Sequence, residues 1–126
     1  MAMTPYPLYT SRGAWAGLLQ DGYLYNPQGE WIGWVERDAS VYSVVGEYVG
    51  QLARDFRVLR KRALPEARRL RRQPPERPAG RLPVPATVPL PPLMAEIGFD
   101  TIDVLDEAPE RLHTLDADPA AKDIGE

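Results

Sequence analysis

Leu24-Tyr25-Asn26-Pro27-Gln28-Gly29-Glu30-Trp31-Ile32-Gly33-Trp34-Val35 is the stretch that decides the fold. It has turn chemistry in its middle and strand chemistry at both ends. Asn26 suits the first position of a β-turn, Pro27 presets φ for the second, and Gly29 follows where φ must be positive. A type I turn followed by a left-handed glycine is the common bulged hairpin. That count pairs Tyr25 with Trp31, Leu24 with Ile32 and Tyr23 with Gly33. Tyr25, Trp31, Tyr23 and Val35 then share one face, and Leu24, Ile32 and Trp34 the other. Both faces are apolar, so a lone hairpin of this kind is marginal in water and must stack on others.

The frame occurs three times: LYTSRGAWAGLL at 8–19, LYNPQGEWIGWV at 24–35 and VYSVVGEYVGQL at 41–52. Tyr9, Tyr25 and Tyr42 are 16 and 17 residues apart. Gly13, Gly29 and Gly46 keep that spacing, as do Trp15, Trp31 and Tyr48, and Gly17, Gly33 and Gly50. Self-similarity at a fixed period marks a repeat architecture. Tyr9 should pair with Trp15 and Tyr42 with Tyr48, at roughly 0.2–1 kcal/mol for each cross-strand aromatic pair. Gly17, Gly33 and Gly50 fall inside strands, where glycine weakens a sheet. Their recurrence calls for close approach, expected from a neighbouring hairpin's aromatic ring. A ligand crossing the glycines is the competing reading, but a ligand site should break the repeat in one copy. A fourth copy begins at Arg57-Val58-Leu59-Arg60, with Leu59 at the tyrosine position. Ala63 and Pro65 then stand where glycine and an aromatic belong, so the frame is lost.

The Tyr-x-x-x-Gly-x-aromatic-x-Gly frame over roughly residues 7–62 resembles the four-fold beta-flower proteins, a family of small bacterial hairpin-repeat proteins. The resemblance implies all-β hairpins set as petals around a central axis. It implies no activity.

The chain has 126 residues, room for one domain plus tails. Its formal charge is −3, but the charges are segregated. Residues 54–81 carry a local net of +8 and residues 93–126 a net of −8. Equal and opposite segments on a linker attract one another, within one chain or between copies. Leu64 to Arg72 reads as a short basic helix with Pro65 at its first position. Eight of the 14 prolines lie in residues 74–92, a composition that favours polyproline II and a semi-rigid spacer holding the tail at a distance. In the acidic segment Ile102-Asp103-Val104 fits a strand; the alternative is a helical turn or two from Thr101 to Glu107. Beyond Asp116 the composition predicts disorder.

The organisation is therefore a hairpin-repeat domain at 1–62, a basic helix at 63–73, a Pro-rich linker at 74–92 and an acidic tail at 93–126. No cysteine occurs, which excludes disulfides and thiolate zinc sites and fits a cytoplasmic setting. No apolar run is long enough to span a membrane, and Met1 to Pro5 lacks a secretory pattern. The single histidine, His113, stands in the acidic tail with no metal-ligand cluster beside it. The expectation is a non-catalytic, self-associating interaction module that takes no cofactor and no metal. Its expected partners are itself, with the C-terminal tail as one route, or another protein, not a membrane. The alternative is a nucleic-acid-binding accessory protein whose arginines neutralise phosphates. Its candidate contacts are Arg57, Arg60, Lys61, Arg62, Arg68, Arg69, Arg71 and Arg72, which serve equally to meet an acidic partner. An unpaired edge at Arg57–Arg60 also invites a strand from residues 99–105, supplied by the same chain or by a neighbour.

Overall fold

The computed structural model describes residues 5–63 and 71–115. Its strands are β1 (Tyr6–Tyr9), β2 (Trp15–Gln20), β3 (Tyr23–Tyr25), β4 (Trp31–Val35), β5 (Ser40–Ser43), β6 (Tyr48–Leu52), β7 (Val58–Lys61) and β8 (Thr101–Asp103). They form one antiparallel sheet in sequence order, curled into a half-barrel. A single helical turn, α1 (Val104–Glu107), and a 3-10 turn at Pro109–Arg111 follow β8.

The hairpin tips share one hydrogen-bond scheme. In the second, Gly29 N–H donates to the Asn26 carbonyl and Asn26 N–H to the Glu30 carbonyl, both at 2.9 Å. Thr10 to Ala14 and Ser43 to Glu47 repeat both bonds. Gly13, Gly29 and Gly46 have φ of +83°, +83° and +87°, which only glycine adopts without cost. The first turn residue adds a side-chain acceptor each time. Asn26 Oδ1 takes Gln28 and Glu30 N–H, Thr10 Oγ1 takes Ala14 N–H, and Ser43 Oγ takes Glu47 N–H. The links at 36–40 and 53–57 use the same backbone bonds, with Ala39 and Phe56 in the left-handed position. Phe56 is held there by stacking on Tyr6 at 5.5 Å and by its carbonyl, which accepts Tyr9 N–H at 3.0 Å.

Tyr9–Trp15, Tyr25–Trp31 and Tyr42–Tyr48 pair as the frame requires. Beyond them the register differs from expectation. Leu24 opposes Gly33, not Ile32, and Tyr23 opposes Trp34, not Gly33. A second bulge, at Ile32, inserts one extra residue, and the same shift occurs in the first and third hairpins. Because strand side chains alternate, one inserted residue reverses every face beyond it. Trp34 therefore joins Tyr25 and Trp31, and Val35 packs with Leu24 and Ile32. The result is one aliphatic cluster around Leu8, Leu24, Val41 and Val58, and one aromatic cluster around Tyr25, Trp31, Trp34 and Tyr42.

The strand glycines are explained by backbone, not by rings. A Cβ at Gly17 would lie 2.5 Å from the Tyr25 carbonyl oxygen, and one at Gly50 2.6 Å from that of Leu59. Gly33 meets the Tyr42 carbonyl in the same way. In each case the glycine faces the carbonyl at the tyrosine position of the next hairpin. The indoles of Trp15 and Trp31 donate to the Gly17 and Gly33 carbonyls at 2.8 and 2.7 Å, which satisfies the half-buried N–H of the first and the buried N–H of the second.

β8 comes from the acidic segment of the same chain. It pairs Leu59 with Asp103, Arg60 with Ile102 and Lys61 with Thr101. Neither alternative for residues 101–107 holds throughout: Thr101–Asp103 is a strand, one residue earlier than expected, and Val104–Glu107 is one helical turn. Ile102, Val104 and Leu112 complete the aliphatic cluster.

Candidate functional site

The distinctive surface is the crossing of residues 71–100 over the hairpin tips. Arg72 N–H donates to the Gly46 carbonyl and Leu82 N–H to the Gly29 carbonyl, both at 2.9 Å. Pro91 lies against Gly13, its Cγ 3.5 Å from where a Cβ would stand. The strap thus visits the third, second and first tips in turn before returning to β7 as β8. Tyr23 OH donates to the Glu76 carbonyl at 2.7 Å and Tyr9 OH to the Pro89 carbonyl at 2.5 Å. Burial of Tyr9 pushes its phenol pKa up, which favours the neutral donor this bond needs. The proline-rich segment does not hold the tail at a distance. It covers the aromatic cluster with Leu82, because its apolar residues gain more by packing than by extension into water.

Under the strap's last turn sits a buried guanidinium. Arg57 is 3% exposed and reaches both carboxylate oxygens of Asp55, at 2.7–3.0 Å. It also donates to Ser11 Oγ at 3.0 Å and to the Ala95 carbonyl at 2.9 Å. Ser11 N–H donates to Asp103 Oδ2 at 2.5 Å. These bonds join the first hairpin, the fourth hairpin and the strap. Arg57 is a structural cation and not a surface contact, since a buried charge must be paired and hydrogen-bonded.

The remaining candidate cations are placed as follows. Lys61 pairs with Asp100 at 3.1 Å, and Arg62 pairs with Glu107 at 3.6 Å and lies 5.5 Å over the Phe99 ring. Arg71 pairs with Glu47 at 2.8 Å and Arg72 with Glu36 at 3.8 Å. Arg60 lines a small cleft with Glu47, Tyr48, Arg71 and Arg111. Arg68, Arg69 and the helix expected at 64–72 lie outside the described residues, except that Arg71 and Arg72 are not helical. A cleft of about 510 Å3 lies between strap and second tip and is lined by Glu30, Trp31, Arg77, Arg81 and Leu115. Among the described residues no three His, Cys, Asp or Glu side chains are grouped to hold a metal. His113 Nδ1 is 2.9 Å from its neighbour's carbonyl, that of Thr114. No described helix is long and apolar enough to cross a membrane.

The sequence reading missed the strap's inward residues. Leu82, Pro85, Val88, Pro91, Met94 and Ile97 are the less exposed positions of residues 82–97, one in every three. A period of three was the available signal, since polyproline II has three residues per turn. Scans against protein-family models, curated proteins and solved structures find no match to this chain.

Proposed function

We propose that this chain is a non-catalytic interaction and assembly module whose hairpins stand as petals around an axis. Two features support the petal arrangement. Leu8, Leu24, Val41 and Val58, the residues before the tyrosine position, are each wholly buried in one cluster. The strap also touches the third, second and first tips before rejoining the fourth hairpin. The lack of cysteine suits a reducing compartment such as the cytoplasm.

The observation that carries self-association is the make-up of the fourth hairpin. β7 and β8 belong to segments separated by residues 62–100, so the pairing serves equally within a chain or between two. Exchange of an identical element is a low-cost route to a dimer. Light scattering on protein refolded at high concentration should show a dimer, and dilution should return the monomer. Removing residues 93–126 should lower the thermal midpoint by at least about 5 °C and abolish the dimer. A single monomer mass under every refolding condition would refute self-association. The nucleic-acid alternative has less support, because Arg57 is buried and Lys61, Arg62, Arg71 and Arg72 face carboxylates of the same chain. A salt-dependent gel shift with generic DNA and RNA tests it.

A further inference from the structure

We infer that the outer side of the strap is a preformed polyproline ridge that docks into an aromatic-lined groove of a partner protein. This deepens the interaction-module reading and rests on it. From Leu82 to Ile97 every third residue turns inward, which leaves two faces of a three-residue turn outside. One outer face carries Pro83, Pro89 and Pro92. The other carries Leu90, Leu93 and Phe99, which are 90%, 102% and 91% exposed. Leu90 and Leu93 stand three residues apart on that face, and exposed apolar side chains grouped on one face mark a contact surface more than scattered ones do.

The ridge is pinned at three points. Leu82 N–H is bound by Gly29, the Pro89 carbonyl by Tyr9 and the Ala95 carbonyl by Arg57. A partner therefore meets an ordered ligand and loses little entropy on binding. Grooves that read this conformation are lined by aromatic rings, against which pyrrolidine and leucine side chains pack flat. Pro89-Leu90-Pro91-Pro92-Leu93 offers the Pro-x-x-Pro spacing on which such grooves act. Charge fixes the direction. Arg77 is exposed just before the ridge, whereas Arg81 is paired with Glu30 at 3.4 Å, so the groove should be acidic where it meets Arg77. A lipid surface fits less well, because Glu96 and Asp100 flank Phe99 and repel anionic headgroups.

The test uses the full chain against isolated SH3 and WW domains, whose groove tryptophan reports binding by fluorescence. At least one domain should bind with Kd of order 10–100 μM. Leu90→Ser with Leu93→Ser should weaken it at least tenfold, and Arg77→Glu about threefold. Circular dichroism and light scattering should be unchanged in both variants, since neither touches β8 or the core. Loss of the dimer with β8 intact as a strand would instead mark the ridge as a self-contact and overturn the proposal. Absence of binding at 1 mM domain overturns it, as does binding that survives the leucine changes. So does leucine-dependent binding to vesicles of three parts phosphatidylcholine to one of phosphatidylserine in place of domain binding. The domain-binding and vesicle outcomes leave the refolding result that tests β8 exchange unchanged.

Discussion

The second and fourth hairpins reach the same antiparallel pairing by opposite routes. β3 and β4 are joined across residues 26–30, and each bond that shapes their turn is local. β7 and β8 are joined across residues 62–100 and have no turn of their own. Closing the longer loop costs about 2 kcal/mol more in chain entropy, since the cost grows with the logarithm of length. The fourth hairpin offsets this with long-range contacts: Arg57 bonds to Ser11 and to the Ala95 carbonyl, and Val58, Ile102 and Val104 are buried in the aliphatic cluster. Repeated chemistry builds the first three units, and distant side chains stitch the last.

The largest expected effect breaks the repeated side. Gly33→Val places a side chain against the Tyr42 carbonyl, which as backbone cannot yield cheaply, and against the tip of Leu112. Urea denaturation should show a loss of about 3 kcal/mol, the upper range for overpacking. Gln28→Ala, on the exposed tip of the same hairpin, should stay within about 0.5 kcal/mol. Similar small losses for both would mean that backbone approach does not set the glycine.

The stitched side should be nearly as sensitive at one residue. Arg57→Leu leaves Asp55 and Ser11 without their buried partner and should cost about 3 kcal/mol. Arg12→Leu removes an ion pair to Asp106 whose arginine is 82% exposed, and should cost under about 0.5 kcal/mol. If the two variants unfold at the same denaturant concentration, the network does not hold the fourth hairpin.

The smallest effect concerns the surface pairs along β8. Lys61 and Asp100 are each 69% exposed, so Lys61→Ala should leave stability almost unchanged. Its signature is a titration. The Lys61 ammonium, by hydrogen bond and charge, holds the Asp100 carboxyl below the ordinary aspartate range. A carboxyl with a depressed pKa stabilises above its unfolded value, and the contribution is lost as pH falls through the folded value. Carboxyl NMR should show the Asp100 midpoint rising towards the ordinary range in Lys61→Ala. An unmoved midpoint would show that the pair is not formed in solution.

Several elements were legible before any coordinates. Asn26-Pro27-Gln28-Gly29 dictates its turn because each residue's own φ preference and side-chain acceptor suffice. The cross-strand partners Tyr9–Trp15, Tyr25–Trp31 and Tyr42–Tyr48 follow from that turn by counting. The chance that residues 99–105 would supply a strand was also readable, from an unpaired edge and opposite charges. The bulge at Ile32 was not readable, because nothing in its own chemistry demands an extra residue. It is set by the facing pair Leu24 and Gly33 and by the fit of the next hairpin's carbonyl. The strap's path was half legible: the proline content fits an extended segment, but the inward turn of every third residue from Leu82 to Ile97 depends on the hairpins beneath it.

The sequence by itself determined the repeated turns, the aromatic pairing and the need for glycine at positions 17, 33 and 50. Those depend on local backbone preferences and on a frame written three times. Only the tertiary structure decided what meets those glycines, where the prolines lie and which strand completes β7. Each of these depends on contacts between residues far apart in the chain, whose energies appear only once the hairpins have assembled.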